Sequence, residues 1–423
     1  MNAIKRKSMH IMFVVAMAFC LLFAGKIQTN AATVAPTGVA QTEAGSSDVK
    51  VRWNTVMQNN INYYYRISDD ASFAISKSGL TVGENWTSMS GLNCGTSYYV
   101  QIGTSTTYNN SEAPADTAWS DTVEVATVAL DVNSDSIKLT DAGTTYMTLA
   151  WDAPTGANYY EIKYWLSEEN IDSASTVSSE TNSIQFTGLN KNSKYNVRIY
   201  SYRVTSAGYK AGYAYEYGSK NDINVLPTKV TGITNTKFSP DDYETTFSWD
   251  KLNTADGYQY YIYDNSGKKI LSGKEGYYSL YLKSNKLKKD QFYRIKVRGY
   301  ITLANNKVKY GEWSDVTYFA KSPNQKVSAK QSGKNIKVSW NKVTGATNYT
   351  VYVSNKPNSG YKKVGTVKKT STTIKKYGKS SLKNGKTYYV KVVANKTVKV
   401  NGKNKTYKST AYYNWSDYVT MKK

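Results

Sequence analysis

Closely spaced lysines recur through the last quarter of the chain, where they could bind a polyanion. The main positions are Lys362, Lys363, Lys368, Lys369, Lys375, Lys376, Lys399, Lys403, Lys405 and Lys408. Residues 322–423 contain 23 lysines, no arginine and a single acid, Asp417. The lysine ammonium is a compact point charge and does not form the paired hydrogen bonds with which arginine recognises a particular group. The pattern therefore predicts salt-sensitive binding of anionic polymers and no specific recognition of nucleic acid. A merely solvated surface is the alternative.

Four of these lysines flank Asn401-Gly402, a dipeptide that favours a type I′ hairpin turn. We expect a hairpin from Thr397 to Lys408 whose strands carry lysine on a solvent-facing side. A compact domain of this charge repels itself, and a bound polyanion would relieve the repulsion.

Residues suited to catalysis are scarce. The single histidine is His10, and the two cysteines are Cys20 and Cys94. Without histidine in the mature chain, a Ser-His-Asp triad or a histidine-based metal site is not available. Two Asp-Asp pairs, at 69–70 and 241–242, lack the oxygen-rich loop pattern of a calcium site. We therefore expect no enzymatic activity, no metal and no cofactor. A glycan hydrolase with paired carboxylates is the least favoured alternative.

The N-terminus has the layout of a secretory signal. A basic stretch at 5–7 is followed by an apolar run at 11–24 and by small residues at Ala31 and Ala32. We predict a signal peptide over residues 1–32 and a secreted or extracellular protein associated with the cell surface. An N-terminal membrane anchor is the alternative, although the apolar run is shorter than the ~20 residues that span a bilayer. No transmembrane segment is expected after cleavage.

A pattern of Trp, Leu and Tyr occurs four times. A Leu is followed six residues later by Tyr and then by alternating apolar residues, as in a strand with one buried face. We expect the tryptophans and tyrosines to form the structural core, at Trp53, Trp151, Trp249, Trp340, Tyr98, Tyr195, Tyr293 and Tyr388. The near-regular period of roughly 100 residues matches one small β-sandwich per repeat.

These residues resemble the fibronectin type III domain, with its core Trp, its aromatic strand C and the Leu-x5-Tyr corner between strands E and F. Trp-Ser-Asp at 119–121, 313–315 and 415–417 resembles the element before strand G; the second repeat has Tyr217-Gly-Ser instead. The resemblance implies an all-β chain of four tandem immunoglobulin-like β-sandwich domains, as beads on a string. The expected repeats are 33–128, 129–227, 228–321 and the Lys-rich 322–423.

The same resemblance assigns outward positions on strands C and F, where aromatic residues lie beside cations. We expect an aromatic contact face for glycan or protein at Trp165, Tyr261, Tyr263, Tyr352 and Tyr389. Tyr64 of the first repeat is assigned to the same outward side. Ordinary cross-strand pairing of tyrosine is the alternative. The F–G loops vary in length, which marks them as a second candidate recognition site.

Together these features favour a secreted, non-catalytic binding or adhesion protein. The Lys-rich last repeat would attach to anionic cell-wall or extracellular polymers, and the other repeats would act as spacer and contact surfaces. The alternative is a self-associating surface protein, because residues 35–128 and 129–227 carry net charges of −5 and −3 whereas the last repeat carries +22. A role as an accessory part of a glycan-degrading system is less favoured.

Overall fold

The computed structural model describes residues 32–81, 83, 85–213, 215–321, 327–400, 402–410 and 417–423. Almost all of the predicted signal peptide, the start of the fourth repeat at Ser322 and the Trp415-Ser416 pair lie outside the described residues. The described chain consists of β-strands and loops with three short 3₁₀ helices. Within it, no helix has the length and hydrophobicity that a membrane span requires.

The first sandwich packs a three-stranded sheet against a larger one. Its strands are β1 (Thr37–Ala44), β2 (Asp48–Asn54), β3 (Asn62–Ser68), β4 (Lys77–Leu80), β5 (Trp86–Ser90), β6 (Ser97–Ser105), β7 (Ala118–Trp119) and β8 (Val123–Ala126). The smaller sheet has the order β1-β2-β5. The larger has the order β4-β3-β6, and β6 also pairs with β7 and β8.

The second sandwich repeats this order after a short 3₁₀ helix at Ser134–Ser136. Its strands are β9 (Lys138–Ala142), β10 (Tyr146–Ala150), β11 (Tyr159–Leu166), β12 (Ser175–Ser179), β13 (Ser183–Thr187), β14 (Lys194–Val204), β15 (Lys210–Ala211) and β16 (Gly218–Asn224). A second 3₁₀ helix, Ile171–Ser173, precedes β12. The sheets are β13-β10-β9 and β12-β11-β14-β15, with β16 also on β14.

The third sandwich has the same two sheets. Its strands are β17 (Thr234–Ser239), β18 (Glu244–Ser248), β19 (Gly257–Tyr263), β20 (Lys269–Glu275), β21 (Ser279–Lys283), β22 (Tyr293–Thr302), β23 (Val308–Tyr310) and β24 (Thr317–Phe319). A 3₁₀ helix, Ala304–Asn306, connects β22 to β23. The smaller sheet is β17-β18-β21, and the larger is β20-β19-β22-β23 with β24 also on β22.

The fourth sandwich follows the same plan with a longer F–G hairpin. Its strands are β25 (Ser328–Ser332), β26 (Asn335–Ser339), β27 (Asn348–Ser354), β28 (Lys362–Val367), β29 (Ser371–Ile374), β30 (Lys376–Tyr377), β31 (Ser380–Ser381), β32 (Thr387–Val400), β33 (Lys403–Lys408) and β34 (Asp417–Thr420). The sheets are β25-β26-β29 and β28-β27-β32-β33, with β34 also on β32. Strands β30 and β31 form a separate small pair.

A buried tryptophan lies between the two sheets of every sandwich. Each packs against the ring of a tyrosine on the third long strand, with ring centroids 5.1 to 5.6 Å apart. The tryptophans are 2 to 5% exposed: Trp53, Trp151, Trp249 and Trp340. Offset or edge-to-face aromatic pairs of this kind stabilise a core beyond the apolar area that they bury.

The corner tyrosines fix the loop that enters each long central strand. The hydroxyl of each accepts a hydrogen bond from the backbone N–H five residues earlier, at 2.6 to 3.0 Å. The four rings are buried: Tyr98, Tyr195, Tyr293 and Tyr388. This geometry is the tyrosine corner of immunoglobulin-like sandwiches, in which a polar tip satisfies loop backbone while the ring fills the core.

The third and fourth sandwiches share part of one hydrophobic core. Phe292, immediately before β22, is 1% exposed and packs with the core of the fourth sandwich. Its backbone N–H donates to the carbonyl of Thr344 at 2.9 Å, and the N–H of Thr344 donates to the carbonyl of Asp290 at 2.9 Å. The N–H of Thr410 bonds the carbonyl of Ala320 at the same distance. The two sandwiches are therefore joined by backbone ladders as well as by chain connectivity.

The first sandwich forms a compact unit with two segments of the second, the loop 155–158 and residues 201–213, which include the end of β14 and β15. Gly156 and Gly95 meet so closely that a Cβ on Gly156 would lie 2.2 Å from the Cα of Gly95. Arg203 donates from Nε to the hydroxyl of Ser97 at 3.0 Å. Only glycine at both positions permits this approach.

Candidate binding surfaces

The ten predicted lysines are all exposed, but they fall into two groups. The first group, which we call the edge cluster, lies around β28 at the margin of the larger sheet: Lys362, Lys363, Lys368, Lys369, Lys375 and Lys376. The Lys362 ammonium is 4.6 Å from the ring of Tyr377 on β30. This contact places Lys362 of β28 beside the β30 segment, which carries Lys376.

The second group belongs to the β32–β33 hairpin at the opposite margin of the sheet. Lys403, Lys405 and Tyr407 alternate along β33 and so share one side of the hairpin. The Tyr407 ring lies 5.2 Å from that of Tyr318, and its hydroxyl donates to the carbonyl of Val316 at 3.0 Å. The four lysines are exposed as expected, but they lie on both sides of the hairpin: Lys403 and Lys405 share the side of Tyr407, and Lys399 and Lys408 occupy the other.

The acid within the fourth sandwich does little to offset this charge. The two carboxylate oxygens of Asp417 accept hydrogen bonds from the backbone N–H groups of Ala329, at 2.7 Å, and of Tyr418, at 2.9 Å. Asp417 thus closes the end of the smaller sheet rather than pairing with a lysine of the edge cluster.

The outer face of the larger sheet in the third sandwich carries an aromatic stack. Tyr261 and Tyr263 are half-buried, with ring centroids 6.2 Å apart, and Tyr261 lies 4.5 Å from Trp313. The guanidinium of Arg298 lies 4.4 Å from the Trp313 ring and 3.9 Å from that of Tyr310. These aromatics hold one another and a cation, so part of their surface is already used within the domain.

The exposure predicted for Trp165 in the second sandwich is corrected by the structure. Its side chain faces away from the core as expected, yet it is only 8% exposed. Arg198 lies 5.7 Å from its ring and 4.4 Å from the ring of Tyr217. Tyr217 also stacks on Tyr200 at 5.4 Å. The segment before β16 folds over this face, and strand alternation alone does not reveal such a cover.

Tyr64 in the first sandwich is covered in a similar way and is fully buried. Its hydroxyl donates to the carbonyl of Thr107 at 3.1 Å and accepts from the N–H of Asn109 at 2.8 Å. Both partners belong to the loop between β6 and β7. That loop lies over the outer face, so Tyr64 anchors it and is not a contact residue.

The corresponding face of the fourth sandwich is open enough to expose aromatic rings. Tyr352 and Tyr389 are half-buried, and Tyr389 lies 5.9 Å from the exposed Tyr418. Tyr352 stands opposite Lys363 and Lys391 on the two neighbouring strands. Burial raises the pKa of the nearby Tyr361 to about 12. Aromatic and cationic side chains therefore continue from this face into the edge cluster.

The Trp-Ser-Asp element is a structural turn in the first and third sandwiches. The hydroxyl of Ser120 accepts from the N–H of Ile102 at 3.1 Å and donates to the carbonyl of Asp121 at 2.9 Å. Ser314 makes the matching bonds with Val297 at 3.0 Å and Asp315 at 2.9 Å. The recurrence of the tripeptide thus follows from how it closes the sheet edge.

Tyrosines in the F–G segment of the second sandwich differ in exposure. Tyr209 is half-buried and its pKa is raised by burial, whereas Tyr215 is 91% exposed. Nearby, burial and the neighbouring Glu216 raise the pKa of Asp131 to about 6. Two carboxyl groups thus share one small region of this sandwich.

The acidic pairs and the thiol have partners within the fold. Asp70 bonds the backbone N–H of Ser72 at 3.1 Å, and Asp242 accepts from the hydroxyl of Ser239 at 2.6 Å. The Cys94 thiol donates to the carbonyl of Val128 at 3.0 Å. In the part of the chain that the structure describes, no three metal-binding side chains gather at one place.

Sequence reasoning missed exposed tyrosines on the smaller sheet of the third sandwich. Tyr243, Tyr277, Tyr278 and Tyr281 are 48 to 76% exposed around β18 and β21. The signal was present for Tyr281, because it alternates with Leu280 and Leu282 on a short strand.

Comparison with known proteins connects the fold to a family. Residues 134–213 match the family model described as Fibronectin type III domain. No curated protein matches the chain. Among solved structures, the FN1-FN3 domains of chicken CNTN1 match with 16% identity over 68% of this chain and 98% of that one, at a TM-score of 0.28. A two-domain fibronectin type III segment of chicken tenascin also matches at 16% identity, over 44% of this chain and 98% of that one, at a TM-score of 0.25.

Proposed function

Because residues 134–213 are a fibronectin type III domain and the other sandwiches repeat its strand order, we propose that this chain is a non-catalytic, secreted binding protein whose fourth domain holds polyanions. Fibronectin type III domains are typically extracellular binding and adhesion modules. The signal peptide predicted at residues 1–32 is the support for export. The first three domains would act as spacer and as contact surfaces for glycan or protein.

The edge cluster is the observation that carries the proposal. Its six lysines are exposed around one margin of the larger sheet, and the one acid of the domain is bound to backbone elsewhere. Like charges packed this densely raise the free energy of the compact state, and a polyanion laid along them lowers it. The release of counterions from the polymer adds a favourable term that falls as salt rises.

The hairpin lysines are the natural control, because Tyr407 of the same hairpin contacts Tyr318 of the third domain. We propose that the edge cluster makes the main contact with the polyanion and that the hairpin lysines contribute a weaker, long-range electrostatic attraction. Anionic cell-wall polymers such as teichoic acids fit this chemistry. Lysine side chains recognise charge density rather than base sequence, so specific nucleic-acid binding is not expected.

The test uses charge-neutralising variants of the full mature chain. Deleting the fourth domain would also expose Phe292 and is therefore a poor test. Lys362, Lys363, Lys368 and Lys369 are replaced together by Gln. In the matched control, Lys399, Lys403, Lys405 and Lys408 are replaced by Gln. Binding to purified wall teichoic acid and to linear polyphosphate is measured across a salt series.

We expect the edge variant to reduce the slope of log K against log salt by about 3, at ~0.7 per lost contact. The hairpin variant should lower the slope by less than half of that amount. Equal effects of the two variants would show that net charge alone governs binding. Salt-insensitive binding by the wild type would contradict the proposal.

Self-association is a second candidate, favoured by opposite charge at the two ends of the sequence. Residues 35–128 carry a net charge of −5 and residues 322–423 carry +22. A head-to-tail contact between copies would be heterologous and could extend into filaments. Light scattering separates the two functions, because a chain that stays monomeric at low salt excludes this assembly.

A further inference from the structure

A single tyrosine ring is fixed on the outer face of the smaller sheet in the third domain. Tyr281 lies on β21 between Leu280 and Leu282, which turn toward the core, and its side chain is 60% exposed. The phenol hydroxyl donates to Glu244 Oε1 on the neighbouring strand β18 at 2.8 Å. The other oxygen of Glu244 accepts from the ammonium of Lys237 on β17.

The strand register shows how the ring is oriented. Tyr281 stands opposite Thr246, and Glu244 lies two residues further along β18, opposite Lys283. A hydroxyl that reaches Glu244 requires the ring to lie along the sheet instead of pointing away from it. One ring face is therefore turned to the strands and the other to solvent. The bond to Glu244 raises the pKa of Tyr281, and the bonds from Lys237 and then from Tyr281 lower the pKa of Glu244.

The surroundings of the ring are polar. The other outward residues on the three strands carry hydroxyl or charged groups, among them Thr246, Ser279 and Lys283. The hydroxyls of Thr234 and Ser248 lie 2.9 Å apart across β17 and β18. Aliphatic side chains on these strands point into the core. We call the Tyr281 ring and the polar groups around it the platform. It consists of one flat aromatic ring surrounded by hydrogen-bonding groups.

We infer that this platform binds the face of a pyranose ring in an extracellular glycan. One face of a pyranose presents C–H groups with partial positive charge, which are attracted to the negative face of an aromatic ring. Its hydroxyl groups point outward around the edge, where Glu244, Thr246 and Lys283 can bond them. A fixed ring loses little conformational freedom on binding, so more of the interaction energy remains.

The same chemistry disfavours a protein partner at this site. Protein interfaces of useful affinity have a desolvated centre rich in apolar and aromatic side chains. Here hydroxyls and charges surround a lone ring, and these groups would be stripped of water without matching partners. Tyr243, Tyr277 and Tyr278 are exposed near the two ends of the same strand pair.

This site is independent of the lysines of the fourth domain and lies on the sheet opposite to Tyr261 and Tyr263. The test uses the full mature chain and a panel of short gluco-, xylo-, manno- and N-acetylglucosamine oligosaccharides. Affinity is measured by titration calorimetry up to about 10 mM sugar, where millimolar dissociation constants are still resolved. Three variants are compared with the wild type: Tyr281→Ala, Tyr281→Phe and, as the control, Tyr215→Ala at a tyrosine that is 91% exposed.

We expect at least one oligosaccharide to bind and Tyr281→Ala to weaken it about tenfold or more. Tyr281→Phe should lose part of the affinity, because the ring remains but its anchor on Glu244 is gone. Tyr215→Ala should bind like the wild type. In the wild type, sugar should also shift the ring resonances of Tyr281, which provides a readout without any substitution. If no oligosaccharide binds, or if Tyr281→Ala binds as well as the wild type, the inference is wrong.

Discussion

Two buried tyrosine hydroxyls in the third domain allow the contribution of a loop hydrogen bond to the free energy of unfolding to be measured within one core. Tyr258 accepts from the N–H of Leu252 at 2.8 Å, and Tyr293 accepts from the N–H of Lys288 at 2.6 Å. Tyr258 and Leu252 are both buried, whereas Lys288 lies at the exposed corner. Substitution by Phe removes only the oxygen in each case.

The two substitutions should differ because water can reach only one of the donors. In Tyr258→Phe the N–H of Leu252 stays buried without a partner, which costs about 2 kcal/mol. In Tyr293→Phe the N–H of Lys288 can bond water, so the loss is about 1 kcal/mol. Loss of the shorter bond, at Tyr293, is therefore expected to reduce the stability less than loss of the more buried bond, at Tyr258.

Native-state hydrogen exchange is the appropriate assay, because a multi-domain chain does not unfold in one step. The amides of Ile295 and Val297, both fully buried on β22, report opening of the third domain. We expect exchange to accelerate about thirtyfold in Tyr258→Phe and about fivefold in Tyr293→Phe, since 1.4 kcal/mol is a factor of ten. Tyr281→Phe, at an exposed hydroxyl, serves as the control.

Equal acceleration in the two buried variants would refute the argument, since it would mean that solvent access to the donor does not set the cost. Acceleration below twofold in both would show that these hydroxyls contribute no net stability. The second outcome would leave the tyrosines to act through their rings alone.

The remaining predictions concern charge and backbone. Asp131 has a folded pKa of about 6, above its unfolded value, so stability that is present at low pH is lost as pH rises toward neutrality. The free energy of unfolding of Asp131→Asn should exceed that of the wild type at pH 7 by about 1 kcal/mol after solvent screening, and the two should be equal at pH 4. Amides of the fourth domain should exchange more slowly as salt rises from low to moderate concentration, because screening reduces lysine repulsion; unchanged or faster exchange would count against this. Gly156→Ala, at φ +82° against the Gly95 backbone, should destabilise the first domain by about 2 kcal/mol or more. Gly188→Ala, at φ +71° in open space, should cost only about 1 kcal/mol. Similar shifts of the urea midpoint in the two variants would contradict the role of the close approach.

The sequence was informative wherever one strand face had to be buried. Alternation around Tyr195 and Tyr293 placed those rings inward, and the structure shows them in the core. The family resemblance was confirmed over residues 134–213 and the all-β fold over the described chain. Burial of a period-two face is a local property, so short stretches of sequence carry it.

Outward faces were harder to predict because distant loops decide their exposure. Trp165 and Tyr64 alternate correctly with the core, yet the segments before β16 and β7 cover them. Tyr407 of the hairpin contacts Tyr318 of the third domain, which strand alternation did not predict either. These contacts depend on loop paths and domain packing, which strand periodicity does not encode.

The core shared by the third and fourth domains has a consequence for how such a chain can be assembled from repeats. A gene segment that encodes residues 322–423 would carry the strands of the fourth sandwich, β25 to β34. A recombination event that moved it alone would leave Phe292 behind and open a hole where that ring fits. We therefore expect the last two repeats to be exchanged between proteins as a pair, so that the unit of exchange is larger than the unit of repetition.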